Sequence, residues 1–376
     1  YLTELRNLLF PSHLSIMQSS ALTVAAAQAA DRAVNLLLSG PAGGLSGSLL
    51  VGRHLDRSRM ITFDMGGTST DVALMNGEIR LTNKGRIADF PVAVPMADIH
   101  TIGAGGGSIA YIDEGGLLQV GPASAGADPG PACYNKGGNF ATVTDANLIL
   151  GRLKPDAFLG GKMRLLPERS AHAMTPLAAK LGISIEELAF GIIRIANEHM
   201  IQALRVISIQ EGFDPRAFTL ACFGGAGGLH FCDLAEALEM TEVIVPIHSG
   251  VLSALGMLAT RPGRELVRTH RALVEDLDPT TLEGMFSELE RQGRAELKQE
   301  GVDDSIAQRS LDLRYLGQTF TISVPFHDIG AFHKYHERQY GHTLEKPVEI
   351  LNLRVHLEAS QRPLKLPRLA NTRTTP

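Results

Sequence analysis

The segment Asp64-Met-Gly-Gly-Thr-Ser-Thr-Asp71 lies between two short apolar runs, 59–63 and 71–75, and it restricts the fold more than any other stretch of the chain. It reads as a strand, a polar glycine turn and a second strand. Two glycines in such a turn allow consecutive backbone N–H groups to point into one concave nest that binds phosphate oxygens. Gly66, Gly67, Thr68, Ser69 and Thr70 are therefore the candidate phosphate-binding residues, with Thr68 and Thr70 as hydroxyl donors. Asp64, at the end of its strand, is the candidate to hold a magnesium ion through water. Plain hairpins also carry Asp-Gly-Gly turns with threonines, so the surroundings must decide.

A second glycine turn lies about 150 residues downstream. An apolar run, 218–223, leads into Gly-Gly-Ala-Gly-Gly at 224–228 and then into a helical pattern, 231–239. Glycine lets a flat base and ribose lie against backbone where a Cβ would collide, which makes Gly224, Gly225 and Gly227 candidates to seat a nucleoside. Small-residue segments, 42–51 and 251–258, read as closely packing helices near each turn. No lysine follows the glycines in the Walker pattern, so a P-loop fold is disfavoured.

Elsewhere the pattern is uneven. Residues 20–38 read as an alanine-rich helix leading into a strand, 34–38. Residues 99–138 read as a long structured loop region with a hairpin around Glu114-Gly115-Gly116, and loops of that length commonly carry function. Ser184 and Glu187 form a capping box ahead of Leu188, Ile192, Ile195, Met200, Leu204 and Ile207, which predicts a long helix stopping near Gly212. A strand is expected at 241–246. Beyond Pro262 the character changes to a charged amphipathic helix, 281–300, and alternating segments at 310–324 and 350–357. The basic, proline-containing tail from Arg362 is expected to be poorly ordered.

Composition narrows the function. With 376 residues, 44% hydrophobic and 20% charged, the chain can bury one large or two ordinary cores. Its net charge of -5, with acids and bases interspersed, offers no stripe for a nucleic-acid backbone. The apolar stretches are too short or too rich in small residues to span a membrane, and the start does not read as a signal peptide. Cys133, Cys222 and Cys232 show no CxxC spacing, for which a reducing cytoplasm is the simplest reading. Asp98, His100, Asp128, Cys133 and Asp145 fall in glycine-rich loops without the spacing of a metal motif; each either lines a cleft or simply hydrogen-bonds loop backbone. His230 reads as structural, and Cys222 and Cys232 as small core residues.

The order of parts resembles the actin, sugar kinase and heat-shock chaperone ATPases: 43–50 is similar to their first connecting helix, 64–71 to the second phosphate loop, 224–228 to the adenosine motif and 251–258 to the second connecting helix. Longer strings resemble the hydantoinase, 5-oxoprolinase and acetone carboxylase family over nearly the whole chain. These are Leu38-Ser-Gly-Pro-Ala-Gly-Gly44, Asp98-Ile-His-Thr-Ile-Gly-Ala-Gly-Gly-Gly-Ser108, Gly121-Pro-Ala-Ser-Ala-Gly-Ala-Asp-Pro-Gly-Pro-Ala-Cys-Tyr134, Thr142-Val-Thr-Asp-Ala146, residues 223–230 and Arg314-Tyr-Leu-Gly-Gln318. The chain departs from the family at Ser20-Ala21-Leu22, where a Gly-Gly pair is usual, and at Gly228, where proline is common.

The resemblance implies an α/β, actin-like (ribonuclease H-like) nucleotide-binding lobe over 1–262 and a smaller C-terminal α/β domain over 263–376. It implies an ATP- and Mg2+-using hydrolase subunit that phosphorylates a small cyclic amide for ring opening, or a ketone for carboxylation, together with a second, hydantoinase B-type subunit. Asp64 and His100 carry the catalytic expectation, His100 on the substrate side. Family chains open with a further acidic Gly-Gly-Thr loop about a domain earlier, so this sequence is expected to lack one lobe and to be inactive alone. A sugar-kinase or activator-type ATPase, which should lack the 98–145 strings, and a non-catalytic nucleotide-binding subunit are the competing readings.

Overall fold

The structure, a computed structural model, describes residues 1–12, 14–82, 85–87, 90–92, 94–360 and 364. The tail expected to be poorly ordered lies almost wholly outside them. The chain divides into two compact units: described residues within 1–46, 92–96 and 255–376 form one, and those within 47–91 and 97–254 the other. This division groups the first 46 residues with the C-terminal part and so differs from a linear boundary at 262.

The central unit is a mixed five-stranded sheet packed against helices. Its order is Val243–Ile244, Thr219–Phe223, Arg59–Met65, Thr70–Asn76 and His100–Ile102; the first three strands are parallel and the last two pair antiparallel. The 59–76 segment folds as its pattern predicts, with Gly66 N–H donating to Ser69 O (3.0 Å) to close the turn. Strand alternation puts Ile61, Phe63, Met65, Val72 and Leu74 on the face that forms the main core. Met60, Thr62, Asp64, Asp71 and Ala73 occupy the other face.

On that second face helix Ser39–His54 packs closely. A Cβ on Gly52 would lie 2.3 Å from Met60 Cε, and one on Gly47 would lie 2.6 Å from Leu252 O, so only glycine permits these approaches. The core face is covered by helix Ile185–Ile207, whose predicted capping box forms with Glu187 N–H donating to Ser184 Oγ (3.1 Å) and Ser184 N–H to Glu187 Oε2 (2.8 Å). Leu188, Ile192, Met200 and Leu204 are fully buried along it. The loop region contains the strands Ser108–Ile112 and Leu118–Ser124 as a hairpin with Glu114-Gly115-Gly116 in its turn. Helix Pro167–Leu181, for which the sequence reading has no counterpart, carries Pro176 and weak apolar periodicity.

The other unit holds a four-stranded antiparallel sheet, Gly263–Leu273, Val348–Ala359, Ser305–Tyr315 and Ile322–Pro325 in that order, with helices Pro279–Gln299 and Phe332–Tyr340. The N-terminal hairpin, Ser15–Met17 with Thr23–Ala25, joins it: Thr23 N–H donates to Arg261 O (3.2 Å) and Ala25 N–H to Glu300 Oε1 (2.8 Å). Arg314-Tyr-Leu-Gly-Gln318 serves packing here. Arg314 pairs with buried Glu349, the Tyr315 hydroxyl meets His333 Nδ1 at 2.7 Å, and Gln318 Nε2 meets His336 Nε2 at 2.9 Å. The strand expected at 34–38 does not form. Ala33–Leu36 is instead a 3-10 turn, with Asn35 O accepting from the backbone N–H and the hydroxyl of Ser19 (2.7 Å each). No helix among the described residues is long and apolar enough to cross a membrane.

Ala21 sits in the turn of the N-terminal hairpin at φ 60°, a conformation in which its Cβ crowds the backbone. It lies within Ser20-Ala21-Leu22, the segment where the family resemblance leads one to expect a Gly-Gly pair. Ala21→Gly is expected to stabilise the protein by about 1 kcal/mol, seen as a higher urea midpoint; an unchanged or lower midpoint would mean that the turn carries no such strain.

Candidate functional site

The site is built where three strand ends meet. The parallel register pairs Phe223 with Asp64, so the two glycine turns, far apart in sequence, leave adjacent strands at the same edge. Ala226 N–H donates to Met65 O (3.0 Å), and a Cβ on Gly224 would lie 2.3 Å from Asp64 Oδ1 and 2.5 Å from Met65 O. Gly224 also has φ 82°, so both space and backbone require glycine there.

Asp64 and Asp71 face each other across the antiparallel pair, on the same side of the sheet. Burial, and after it the facing Asp71 carboxylate, push the Asp64 carboxyl up to about 6. Burial also raises Asp71, against the lowering effect of the Thr101 hydroxyl, which donates to Asp71 Oδ1 at 2.5 Å. Among the described residues no lysine or arginine forms an ion pair with either carboxylate. Two like charges held together, half-buried and without a counterion, are suited to a divalent cation. Among the described residues no larger group of His, Cys, Asp and Glu stands ready to hold a metal.

The turn between Gly66 and Ser69 rests on a second glycine segment. Gly106 N–H donates to Gly66 O (3.0 Å) and Gly107 N–H to Gly67 O (2.6 Å). A Cβ on Gly105 would lie 2.7 Å from Gly67 C and from Thr68 N and C. On the outer side the space is open: nothing lies within 4 Å of a Cβ built on Gly67, Gly225 or Gly228. Gly67 and Thr68 are exposed, and Gly66 and Ser69 half-buried.

Several expected roles need correction. Thr70 is fully buried and its hydroxyl donates to Ala104 O (2.6 Å), so it ties the two loops together and is not free to donate to a phosphate. Gly227 is buried, with its missing Cβ 2.9 Å from Cys222 Sγ; it serves packing, and Gly225 is the open glycine. His100 pairs with Val72, which turns it to the face opposite Asp64 and Asp71; its neighbour Thr101 is the residue beside the carboxylates.

Most of the remaining loop residues hold their loops in place. Asp145 is fully buried and accepts from the backbone N–H of Ala132, Cys133 and Thr142 and from the hydroxyls of Thr142 and Ser170, at 2.7 to 3.2 Å. Burial, then the Asp145 charge, raises the buried Cys133 thiol far above its ordinary range, which makes it inert. Asp98 pairs with Arg80 (3.5 Å), and Asp128 is exposed. His230 is buried, as its structural reading requires. Cys222 is buried, whereas Cys232, expected in the core, is exposed because it lies on the outer side of helix Phe231–Ala237.

The sequence reading assigned no role to Asp71, Thr101 and the Gly105–107 support. Asp71 was detectable, since a turn closed between Gly66 and Ser69 places Asp64 and Asp71 opposite each other. The other two depend on strand pairings distant in sequence.

Fold and site together define a mixed α/β protein whose adjacent glycine turns flank a carboxylate pair. The family model described as hydantoinase/oxoprolinase matches residues 3–265, and the chain belongs to that family. It is 39% identical to the caprolactamase subunit alpha of Pseudomonas jessenii over 361 residues, covering 90% of this chain and 52% of the relative. The crystal structure of the ATP-dependent caprolactamase from that organism matches with TM-score 0.84 and 34% identity over 98% of this chain and 58% of the other. A 5-oxoprolinase of Dictyostelium discoideum is 33% identical over 88% of this chain and 29% of its own length. The nucleotide-free structure of acetone carboxylase, from a study of ATP-dependent acetone carboxylation, matches with TM-score 0.75 and 26% identity over 97% of this chain and 56% of the other. The chain thus spans about half the length of the caprolactamase subunit, and less of the oxoprolinase.

Proposed function

We propose that the protein is the ATP-handling part of a cyclic amide hydrolase of the oxoprolinase and caprolactamase type, built on an actin-like nucleotide-binding lobe. The observation that carries this reading is the carboxylate pair Asp64 and Asp71, flanked by glycine turns whose outer faces are open. In it, Asp64 and Asp71 hold Mg2+, directly or through water. The backbone N–H groups of Gly67 and Thr68 cradle phosphate, the open Gly225 lets the nucleoside approach the backbone, and Gly224 lets its turn pack against Asp64 and Met65. Thr101 orients Asp71 so that its other carboxylate oxygen stays available to the cation.

Bound ATP would supply a phosphoryl group to the amide oxygen, its bond to ADP breaking; one water would then add at the activated carbon and the C–N bond break to give an amine and an acyl phosphate, from which a second water would release phosphate. Phosphoryl transfer demands positioning and neutralised charge more than covalent help from side chains, which fits a site made of backbone, hydroxyls and two carboxylates. His100, on the other face of the sheet, takes no part in this reading. A hydantoinase B-type subunit is the proposed partner that completes ring opening.

Calorimetry with MgATP on the intact protein, and ADP release in the presence of its partner with caprolactam, 5-oxoproline, hydantoin or acetone, tests the proposal. Amide-stimulated ATP turnover is expected. Absence of nucleotide binding, or turnover indifferent to every amide, would overturn it.

A further inference from the structure

We infer that the short helix Val143–Ile149 is a strut tying the phosphate-side turn to the nucleoside-side turn, with Asn147 and His230 as positioning residues for the nucleotide; this rests on the nucleotide reading above. At the helix start, the Thr144 backbone N–H and hydroxyl both donate to Gly106 O, at 2.7 and 2.8 Å. Gly106 in turn donates its N–H to Gly66 O (3.0 Å), which holds the first turn. One helical turn later, Asn147 Nδ2 lies 3.4 Å from His230 Nε2 and donates to Val143 O at 3.1 Å. His230 follows the second glycine turn after Leu229 and is the N-cap of helix Phe231–Ala237.

The hydrogens along this chain are fixed by what their partners accept. Asn197 Nδ2 donates to the Asp233 carboxylate (2.7 Å), so its Oδ1 faces His230 Nδ1 at 2.6 Å and Nδ1 must carry the proton. Nε2 is then the lone-pair acceptor for Asn147. Burial, with the nearby Arg152 charge, lowers His230 to about 4, against the raising effect of Asp233, so the ring stays neutral at physiological pH. Arg152, just past the same helix, donates to Leu229 O (3.2 Å) and lies 3.5 Å from Asp233, adding a second tie to the same turn.

Asn147 Oδ1 is buried and has no partner among the described residues. Leucine of similar size would remove that unsatisfied oxygen but would leave the buried His230 Nε2 without its donor. What leucine cannot supply is the donor to His230.

The test uses the intact protein with MgATP and three variants. Asn147→Leu exchanges one unsatisfied buried acceptor, Asn147 Oδ1, for another, His230 Nε2, so it is expected to unfold near the wild-type temperature while the KM and Kd for ATP rise about tenfold, the effect of one lost hydrogen bond on positioning, with kcat at saturating ATP kept. His230→Gln, whose Oε1 replaces the Nε2 acceptor, is expected to retain ATP affinity. His230→Asn, which preserves only the link to Asn197, is expected to behave like Asn147→Leu. Wild-type ATP affinity in Asn147→Leu, or affinities in all three that merely follow their unfolding temperatures, would overturn the strut. A wild-type protein that binds no ATP would overturn the nucleotide reading itself, and this inference with it.

Discussion

Asp64→Asn is expected to lower amide-dependent ATP turnover by roughly 10²- to 10³-fold, the loss typical of removing one preorganised electrostatic group, while the protein becomes more stable near neutral pH. The two effects have one cause. Folding holds the Asp64 carboxyl at about 6 against an ordinary value of 3.8, chiefly through burial and secondarily through Asp71. Between those values the folded protein keeps a proton that the unfolded chain has released, so stability falls as pH rises through that window and then levels off. Asparagine carries no charge to desolvate, and that part of the fall should disappear; Asp71, also raised, retains its own. Unfolding followed from pH 3.5 to 7.5 reads the slope, and steady-state ADP release reads the turnover. Full turnover in Asp64→Asn would remove Asp64 from cation binding, whereas an unchanged slope would mean that the pair is not strained by its charge.

The parts of this fold that were legible in the sequence are those specified locally. The 59–76 hairpin carries its turn and both apolar runs within eighteen residues. Helix Ile185–Ile207 announces itself through Ser184, Glu187 and a sustained apolar period, and three of the four C-terminal strands through alternation, whereas strand Gly263–Leu273 has no counterpart in that pattern. The site was legible as far as its two glycine turns. What escaped depends on register or on distant pairing. A shift of one position along the edge strand exchanges Thr101 for His100 beside the carboxylates, and nothing local to 98–102 decides between them. Thr70 reads as a phosphate donor because its hydroxyl acceptor, Ala104 O, lies 34 residues away. Asp145 reads as a loop carboxylate until Ala132, Cys133 and Ser170 are brought around it. Residues 1–46 join the C-terminal part through contacts such as Thr23 with Arg261, which no local signal encodes.

The support beneath the phosphate loop yields the second large effect, through two glycines only a few ångströms apart. In Gly105→Ala the new Cβ would be forced to within 2.7 Å of three backbone atoms of Gly67 and Thr68, none of which can rotate away as a side chain would. The loop must move, at a cost of about 1 to 3 kcal/mol, and with it the N–H groups proposed to meet phosphate, so both unfolding temperature and ATP affinity should drop. Gly67→Ala is the counterpart. Its Cβ meets nothing within 4 Å and its φ is ordinary, so the fold should be unaffected. ATP affinity should nevertheless fall more than about tenfold, because the methyl group stands where a phosphate must approach the backbone and displaces at least one charge-assisted hydrogen bond. Thermal unfolding separates the two variants and calorimetry with MgATP compares them. If Gly67→Ala binds MgATP like the wild type while Gly105→Ala loses both stability and affinity, the turn matters only as packing, and the phosphate-binding face must be sought elsewhere on the molecule.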